Sequence, residues 1–147
     1  MRLLLDADVL LDCFVARDPY FAQWRRLRVM QYLGDAELWT SASSYATVFR
    51  VARRACEAAT IQDAFENSLS FLQVCSLDAD DLKAVAAARW ASFDDALVAR
   101  AAAKVKASNI LTHDPRRFAR ASVPATTPDA LLASMAAQGH VYEDVSW

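Results

Sequence analysis

Short apolar runs alternate along the chain with longer stretches of helical periodicity, the pattern of an α/β fold built on a mostly parallel sheet. Arg2 to Leu5 is an apolar run ended by acids and predicts a first strand. Asp8 to Ala16 reads as a helix. Asp18-Pro19 predicts the start of another, with Asp as N-cap and Pro as first helical residue. Phe21, Trp24, Leu27 and Val29 carry its apolar stripe to Leu33, and Gly34 stops it. Glu37 to Thr40 predicts a second strand, and Ser41 to Ser44 offer caps for a helix reaching Arg54. Thr60-Ile61-Gln62-Asp63 resembles a capping box opening a helix to about Leu72. Leu72 to Leu77 reads as a third strand, followed by a helix over Asp78 to Arg89. Phe93-Asp94-Asp95 opens a helix through Lys106, with acids in its first turn and lysines in its last, as the helix dipole favours. Asn109 to Thr112 predicts a fourth strand and Asp114-Pro115 a short helix. Val123 to Thr126 predicts a fifth strand, and Thr127-Pro128 caps a last helix to about Ala137. The polar and aromatic stretch from Gly139 to Trp147 fits no element, and Trp147 is expected to make an exposed or intermolecular contact.

Composition narrows the class. The 147 residues, 55% hydrophobic and 23% charged, can bury a core and do not describe a disordered chain. With only 2 Gly and 4 Pro, a turn-rich all-β fold is disfavoured. Sixteen basic against 18 acidic residues leave a net charge of −2, so a nucleic-acid coat is not expected. Thirteen of the basic residues are Arg, however, and local Arg clusters bind phosphates bidentately. Arg50, Arg53 and Arg54 form one such cluster, and Arg116, Arg117 and Arg120 another. Either is a phosphate-steering patch or a solvated face. Cys13, Cys56 and Cys75 are odd in number, widely spaced and set in apolar stretches, which predicts buried free thiols. No apolar run is long enough to span a membrane, and Asp6 comes too early for a signal peptide. A cytoplasmic protein without a membrane partner is expected, forming a single domain over residues 1–147.

The acids fall at informative places. Asp6 and Asp8 follow the first strand, Asp114 follows the fourth, and Asp94 and Asp95 open a helix between strands three and four. Functional groups of an open parallel sheet gather beyond the carboxyl ends of its strands. Carboxylates converging there repel one another unless a cation sits among them, and an all-oxygen set suits a hard ion, Mg²⁺ or Mn²⁺. Each acid alone reads more readily as a helix cap or a solvated side chain, and it is the combined pattern that points to a site. Asp6 is the exception, because it follows a buried run and needs a partner.

These residues resemble the PIN-domain family, most closely its VapC-like toxin branch. The matching stretches are Leu3-Leu4-Leu5-Asp6-Ala7-Asp8-Val9-Leu10-Leu11-Asp12, Ser41-Ala42-Ser43-Ser44 and Phe93-Asp94-Asp95-Ala96-Leu97. Ile110-Leu111-Thr112-His113-Asp114 ahead of Phe118 follows, and Thr127-Pro128 ahead of Leu131-Leu132 closes the series. The resemblance implies a three-layer α/β/α fold with a central, mostly parallel sheet of four or five short strands. It implies metal-dependent cleavage of RNA by the toxin of a toxin–antitoxin pair. Asp6, Asp95 and Asp114 are then the catalytic acids, and Asp8 and Asp94 help to hold Mg²⁺ or Mn²⁺. Ser43, Thr47, Arg50, His113 and Arg116 are expected to meet the RNA. The implied partner is a small antitoxin whose inserted Arg or Lys pairs with the acids. Apolar residues near Tyr45, Phe49 and Trp24 would form a groove for its helix, or for a second copy of this chain in a homodimer.

Three departures accompany the resemblance. Thr47 stands where many relatives carry Glu, Ser92 where they often carry Asp, and Asp8 where Asn or Ser is usual. A catalytically degenerate domain that binds RNA or protein without cutting is therefore a second reading. A third is a haloacid-dehalogenase-type phosphatase, in which Asp6 is the nucleophile, Asp8 the acid/base, and Thr40 or Ser41 and Lys104 complete the site.

Overall fold

Five short runs form strands: β1 (Arg2–Leu5), β2 (Glu37–Ser41), β3 (Gln73–Cys75), β4 (Asn109–Leu111) and β5 (Ala125–Thr126). The structure is a computed structural model describing residues 1–146; Trp147 lies outside the described residues. All strand pairs are parallel, in the order β3-β2-β1-β4-β5. Leu4 at the centre of β1 faces Trp39 on one side and Ile110 on the other. The chain leaves β1 toward β2 and β3, then crosses back to β4 and β5. The direction of winding therefore reverses at β1, and that reversal opens a crevice at the carboxyl ends of β1 and β4.

The helices are α1 (Ala7–Asp12), α2 (Tyr20–Tyr32), α3 (Ala42–Ala52), α4 (Ala58–Ser68), α5 (Ala79–Ala88), α6 (Phe93–Lys104) and α7 (Pro128–Ala137), with a 3-10 turn at Pro115–Phe118. Alternation along the strands assigns the layers. Leu3, Leu5, Leu38 and Leu111 pack with Val9 and Leu10 of α1, Leu27 and Met30 of α2, and Leu132 of α7. Leu4 and Ile110 face the other way, onto Val98, Ala99, Ala101 and Ala102 of α6. Helix α5 lies outside α6 through Val85 against Ala96 and Leu97. The small side chains on α6 let its backbone approach the sheet closely.

Buried Asp81 joins α5 to α6. It forms a reciprocal capping box with Asp78 and accepts from Arg100 Nε at 2.8 Å and Lys104 Nζ at 2.6 Å. These bonds hold its carboxyl well below the usual range, the Lys104 bond contributing most.

Several expected boundaries move. Helix α1 starts one residue early because Asp6 itself caps it, accepting from Ala7 N. Asp18 does not cap α2: the Arg17 carbonyl takes the Phe21 N–H at 3.0 Å, and Pro19 precedes the first helical residue, Tyr20. Thr60 lies inside α4, because the good helix formers Ala58 and Ala59 extend the helix back to Glu57, whose carbonyl accepts from Ile61 N. Cys75 is buried as expected, but Cys56 is exposed beyond the end of α3. Burial pushes the Cys13 thiol up to about 12. The segment after α7 returns as a strap over α2. Buried Tyr142 donates to Asp35 at 2.8 Å, and Asp144 accepts from Arg25 Nη2 at 2.7 Å. Among the described residues no helix is long and apolar enough to cross a membrane.

Adjacent β1 residues are buried on opposite faces. Leu4→Ala and Leu5→Ala are therefore both expected to cost about 2–5 kcal/mol in urea denaturation. A near-neutral result for either would show a solvated sheet face.

Candidate functional site

Thr112 organises the crevice. Strand β1 ends with Asp6, whose N–H donates to the Leu111 carbonyl of β4 at 2.9 Å. This bond brings Thr112, just past β4, beside the start of α1. The Thr112 Oγ lies 3.1 Å from Asp6 Oδ2 and 3.1 Å from Asp8 Oδ2, and it accepts the Asp114 N–H at 3.2 Å. One hydroxyl hydrogen cannot serve both carboxylates at once. Asp8 Oδ2 also accepts the His113 N–H at 3.0 Å.

Arg117, on the 3-10 turn, extends its guanidinium into the space between the acids. Its Nη1 lies 2.9 Å from Asp6 Oδ2 and 3.5 Å from Asp8 Oδ2. Its Nε and Nη2 grip both oxygens of Asp95 as a fork, the Nε bond being 3.2 Å. Asp95 is presented by the first turn of α6, which Ser92 caps by accepting from Asp95 N at 3.2 Å. Two elements distant in sequence, the start of α1 and the start of α6, thus deliver three carboxylates to one cation carried by a third.

A cleft of about 200 Å³ adjoins this cluster. One wall carries Asp6, Asp94, Asp95, Ser92 and Arg117, and the other carries Ser43, Ser44 and Thr47 of α3. Ser43 Oγ bonds Ser41 Oγ at 2.9 Å, and Thr47 Oγ is 3.3 Å from Arg50 Nη2. Ser44 lines this cleft, and its buried hydroxyl has no hydrogen-bond partner among the described residues. A buried orphan of this kind calls for a water or ligand oxygen.

The expected residues separate into groups. Asp6, Asp8 and Asp95 share the guanidinium, while Asp94, Ser43 and Thr47 line the cleft. The Asp114 backbone joins the Thr112 network, but its half-exposed carboxylate turns to Arg116 Nε at 3.1 Å and lies outside the cleft lining. Arg116 is almost fully exposed, and Arg50 is exposed on α3. His113 points away toward α1: its Nε2 lies 2.7 Å from Asp12 Oδ2, and its ring packs on Tyr20 with centroids 4.3 Å apart. The Asp12 contact, outweighing partial burial, raises the His113 pKa. Sequence reasoning put Arg117 in a general basic cluster and overlooked Thr112 and Ser44. Lys104 is engaged by Asp81 and the Ser76 carbonyl, so it does not complete a phosphatase site around Asp6.

Chemically, the cleft offers hard oxygen donors from carboxylates and hydroxyls, the donor set of a hydrated Mg²⁺ or Mn²⁺. The arrangement present is that of a guanidinium complex. Among the described residues no three Asp, Glu, His or Cys side chains are placed to hold a bare metal ion.

Comparison with known proteins agrees with this fold. The family model described as the PIN domain matches residues 2–116. No curated protein matches the chain. Among solved structures, VapBC2 from Rickettsia felis, bound to a DNA fragment of its promoter, superposes with a TM-score of 0.66 at 15% identity, covering 86% of this chain and 98% of that one. VapBC-1 from nontypeable Haemophilus influenzae gives 0.66 at 17%, covering 88% and 99%. VapC20 from Mycobacterium tuberculosis, a toxin that cleaves the sarcin–ricin loop, gives 0.63 at 17%, covering 80% and 94%.

Burial, with Asp8 second, pushes the Asp6 carboxyl from 3.8 up to about 6, against the opposing pull of Arg117. A folded-state pKa raised in this way means that the native chain holds the proton longer than the unfolded one. Its cost is absent below about pH 4, grows between about 4 and 6, and is complete above about 6, at roughly 3 kcal/mol. Asp6→Asn is never charged, so it should be more stable than the parent above about pH 6 and converge with it below about pH 4. Urea midpoints measured across that range in EDTA check this; a pH-independent offset would remove the charge as its cause.

Proposed function

The chain belongs to the PIN-domain family, and on that premise we propose that it is an endoribonuclease dependent on Mg²⁺ or Mn²⁺, acting as the toxin of a toxin–antitoxin pair. The observation that carries this reading is the convergence of Asp6, Asp8 and Asp95 on one cation beside a polar cleft at the carboxyl edge of the sheet. Structural neighbours that include a toxin cleaving the sarcin–ricin loop add support.

Asp6 and Asp95 would hold the ion, with Asp8 and Asp94 beside them and Asp114 joining from the end of β4 once it leaves Arg116. When bound, the ion lowers the pKa of a coordinated water and offsets the charge that builds on the phosphodiester. Arg50 and Arg116, both solvent-facing, take up flanking phosphates. Ser43 and Thr47 offer hydroxyls to the substrate from the α3 wall. His113, tied to Asp12, positions the Thr112–Asp114 loop through its backbone bond to Asp8.

The partner reading rests on a second surface. An apolar groove of about 280 Å³ runs between α1, α3 and α4, lined by Leu11, Phe14, Val15, Val48, Val51 and Phe65. Tyr45 and Phe49 back it by packing on Phe65, whereas Trp24 is buried in the core. Such a groove suits the apolar face of an antitoxin helix, or of a second copy in a homodimer. A cytoplasmic site of action follows from an RNA target.

A non-cutting RNA- or protein-binding module is the second reading. It is favoured by Thr47, which lines the cleft where an acid would complete the set.

Cleavage of structured RNAs should require Mg²⁺ or Mn²⁺ and stop with EDTA. Asp6→Asn and Asp95→Asn should each slow it about a hundredfold or more, because the ion's contribution is several kcal/mol. RNA retained but never cut by the parent chain would select the binding module instead.

Thr47→Glu should add a carboxylate to the α3 wall and tighten Mn²⁺ binding in calorimetric titration. Unchanged affinity would place Thr47 outside the ion's reach.

A further inference from the structure

Arg117 accounts for every ion pair made by Asp6, Asp8 and Asp95 among the described residues. Its guanidinium stands where a shared cation of any kind would have to stand. We propose that Arg117 is a built-in occupant of the acid cleft, a counter-ion supplied by the chain itself that a divalent cation must displace in order to enter. This inference rests on the proposed cation site and adds a competitor to it.

The geometry supports an exchange rather than a permanent brace. Arg117 sits on a four-residue 3-10 turn whose anchor is the next residue, Phe118, buried in the core beneath α6. The turn is therefore fixed by Phe118 and by the Arg117 N–H to the Asp114 carbonyl at 3.2 Å, not by the guanidinium. The Arg117 side chain is 36% exposed, so one face already meets solvent and a rotation about its own bonds can carry it out. Among the described residues its hydrogen bonds and ion pairs go to carboxylates alone, with no backbone carbonyl holding it, and the Phe118 ring lies 5.4 Å from its central carbon.

Charge makes the exchange obligatory. Asp6, Asp8, Asp94 and Asp95 share the cleft region with one positive group. Withdrawal of Arg117 without a replacement would leave close carboxylates facing one another, with Asp6 and Asp95 buried. Arginine stays protonated at any physiological pH, so loss of its own proton cannot release it. Entry of a divalent cation can, because it brings twice the charge to the same oxygens. Occupancy by Arg117 then lowers apparent metal affinity by the fraction of molecules in which the cleft is free. The released guanidinium becomes a bidentate phosphate donor at the cleft's edge.

Calorimetric titration of Mn²⁺ into the parent chain, Arg117→Gln and Arg120→Gln tests the proposal. Arg120→Gln removes the same charge three residues further on, but its guanidinium contacts the Ala88 and Arg89 carbonyls and none of the acids. The expected result is affinity for Mn²⁺ tightened at least about fivefold in Arg117→Gln, with a clearly smaller change in Arg120→Gln. Equal tightening in both variants would reduce the effect to long-range charge and overturn the proposal. Unchanged or weaker binding by Arg117→Gln would overturn it while leaving the cation site standing. No Mn²⁺ binding by any of the three would overturn the cation site and the proposal together. A measurement on the unaltered chain guards against a misfolded variant. With ¹⁵N-labelled arginine, the Arg117 Nε–H signal should be protected from solvent exchange in EDTA and lose that protection as Mg²⁺ saturates. A signal that stays protected at saturation would likewise overturn the proposal.

Discussion

Carboxylates cannot gather in a dry crevice unless a positive charge lies among them. In this chain that constraint links the functional end of the sheet to the rest of the fold. Asp6 caps α1, Asp95 lies in the first turn of α6, and Arg117 comes from the turn after β4. One guanidinium therefore ties a helix on each face of the sheet to the loop that follows its central strands. The parallel register of β1 with β4 makes this possible, because it sets Asp6 and Thr112 level at the same edge. The Thr112 hydroxyl then lies within hydrogen-bond reach of Asp6 and Asp8 alike.

Much of the fold was legible because its determinants are local. The alternation of buried runs with helical stripes located all five strands and seven helices to within a few residues. Thr127-Pro128 and the acids at the start of α6 marked helix ends by chemistry that acts within one turn. Asp18 and Thr60 misled because a backbone carbonyl one turn earlier took over the role of each side chain. The strap after α7 was unreadable because Tyr142 and Asp144 take their meaning from Asp35 and Arg25, more than 100 residues away.

The site divides in the same way. Asp6, Asp8 and Asp95 could be singled out because position relative to a strand or helix end is visible in sequence. Which of two adjacent arginines turns inward is not. Arg116 and Arg117 differ only in phase on a 3-10 turn, and the phase is set by Phe118 entering the core. The same turn directs Asp114 toward Arg116, so an acid that sequence position groups with Asp6 is held apart from it. Ser44 could be read only as a helix cap or as part of the Ser41–Ser44 stretch, since a serine in the first turn of a helix shows no special role until its burial is known.

The alanines of α6 act as a spacer gauge. Ala101 and Ala102 are fully buried against the sheet, and Ala99 nearly so. That thin layer sets how far the helix stands from β1, and hence how far Asp95 stands from Asp6. One or two extra carbons at these positions would lift the whole helix rather than fill a hole, because the interior is close-packed. Residues with no chemistry of their own thereby limit the size of any cation the carboxylates can share. Drift among small side chains on α6 could retune that aperture without altering an acid.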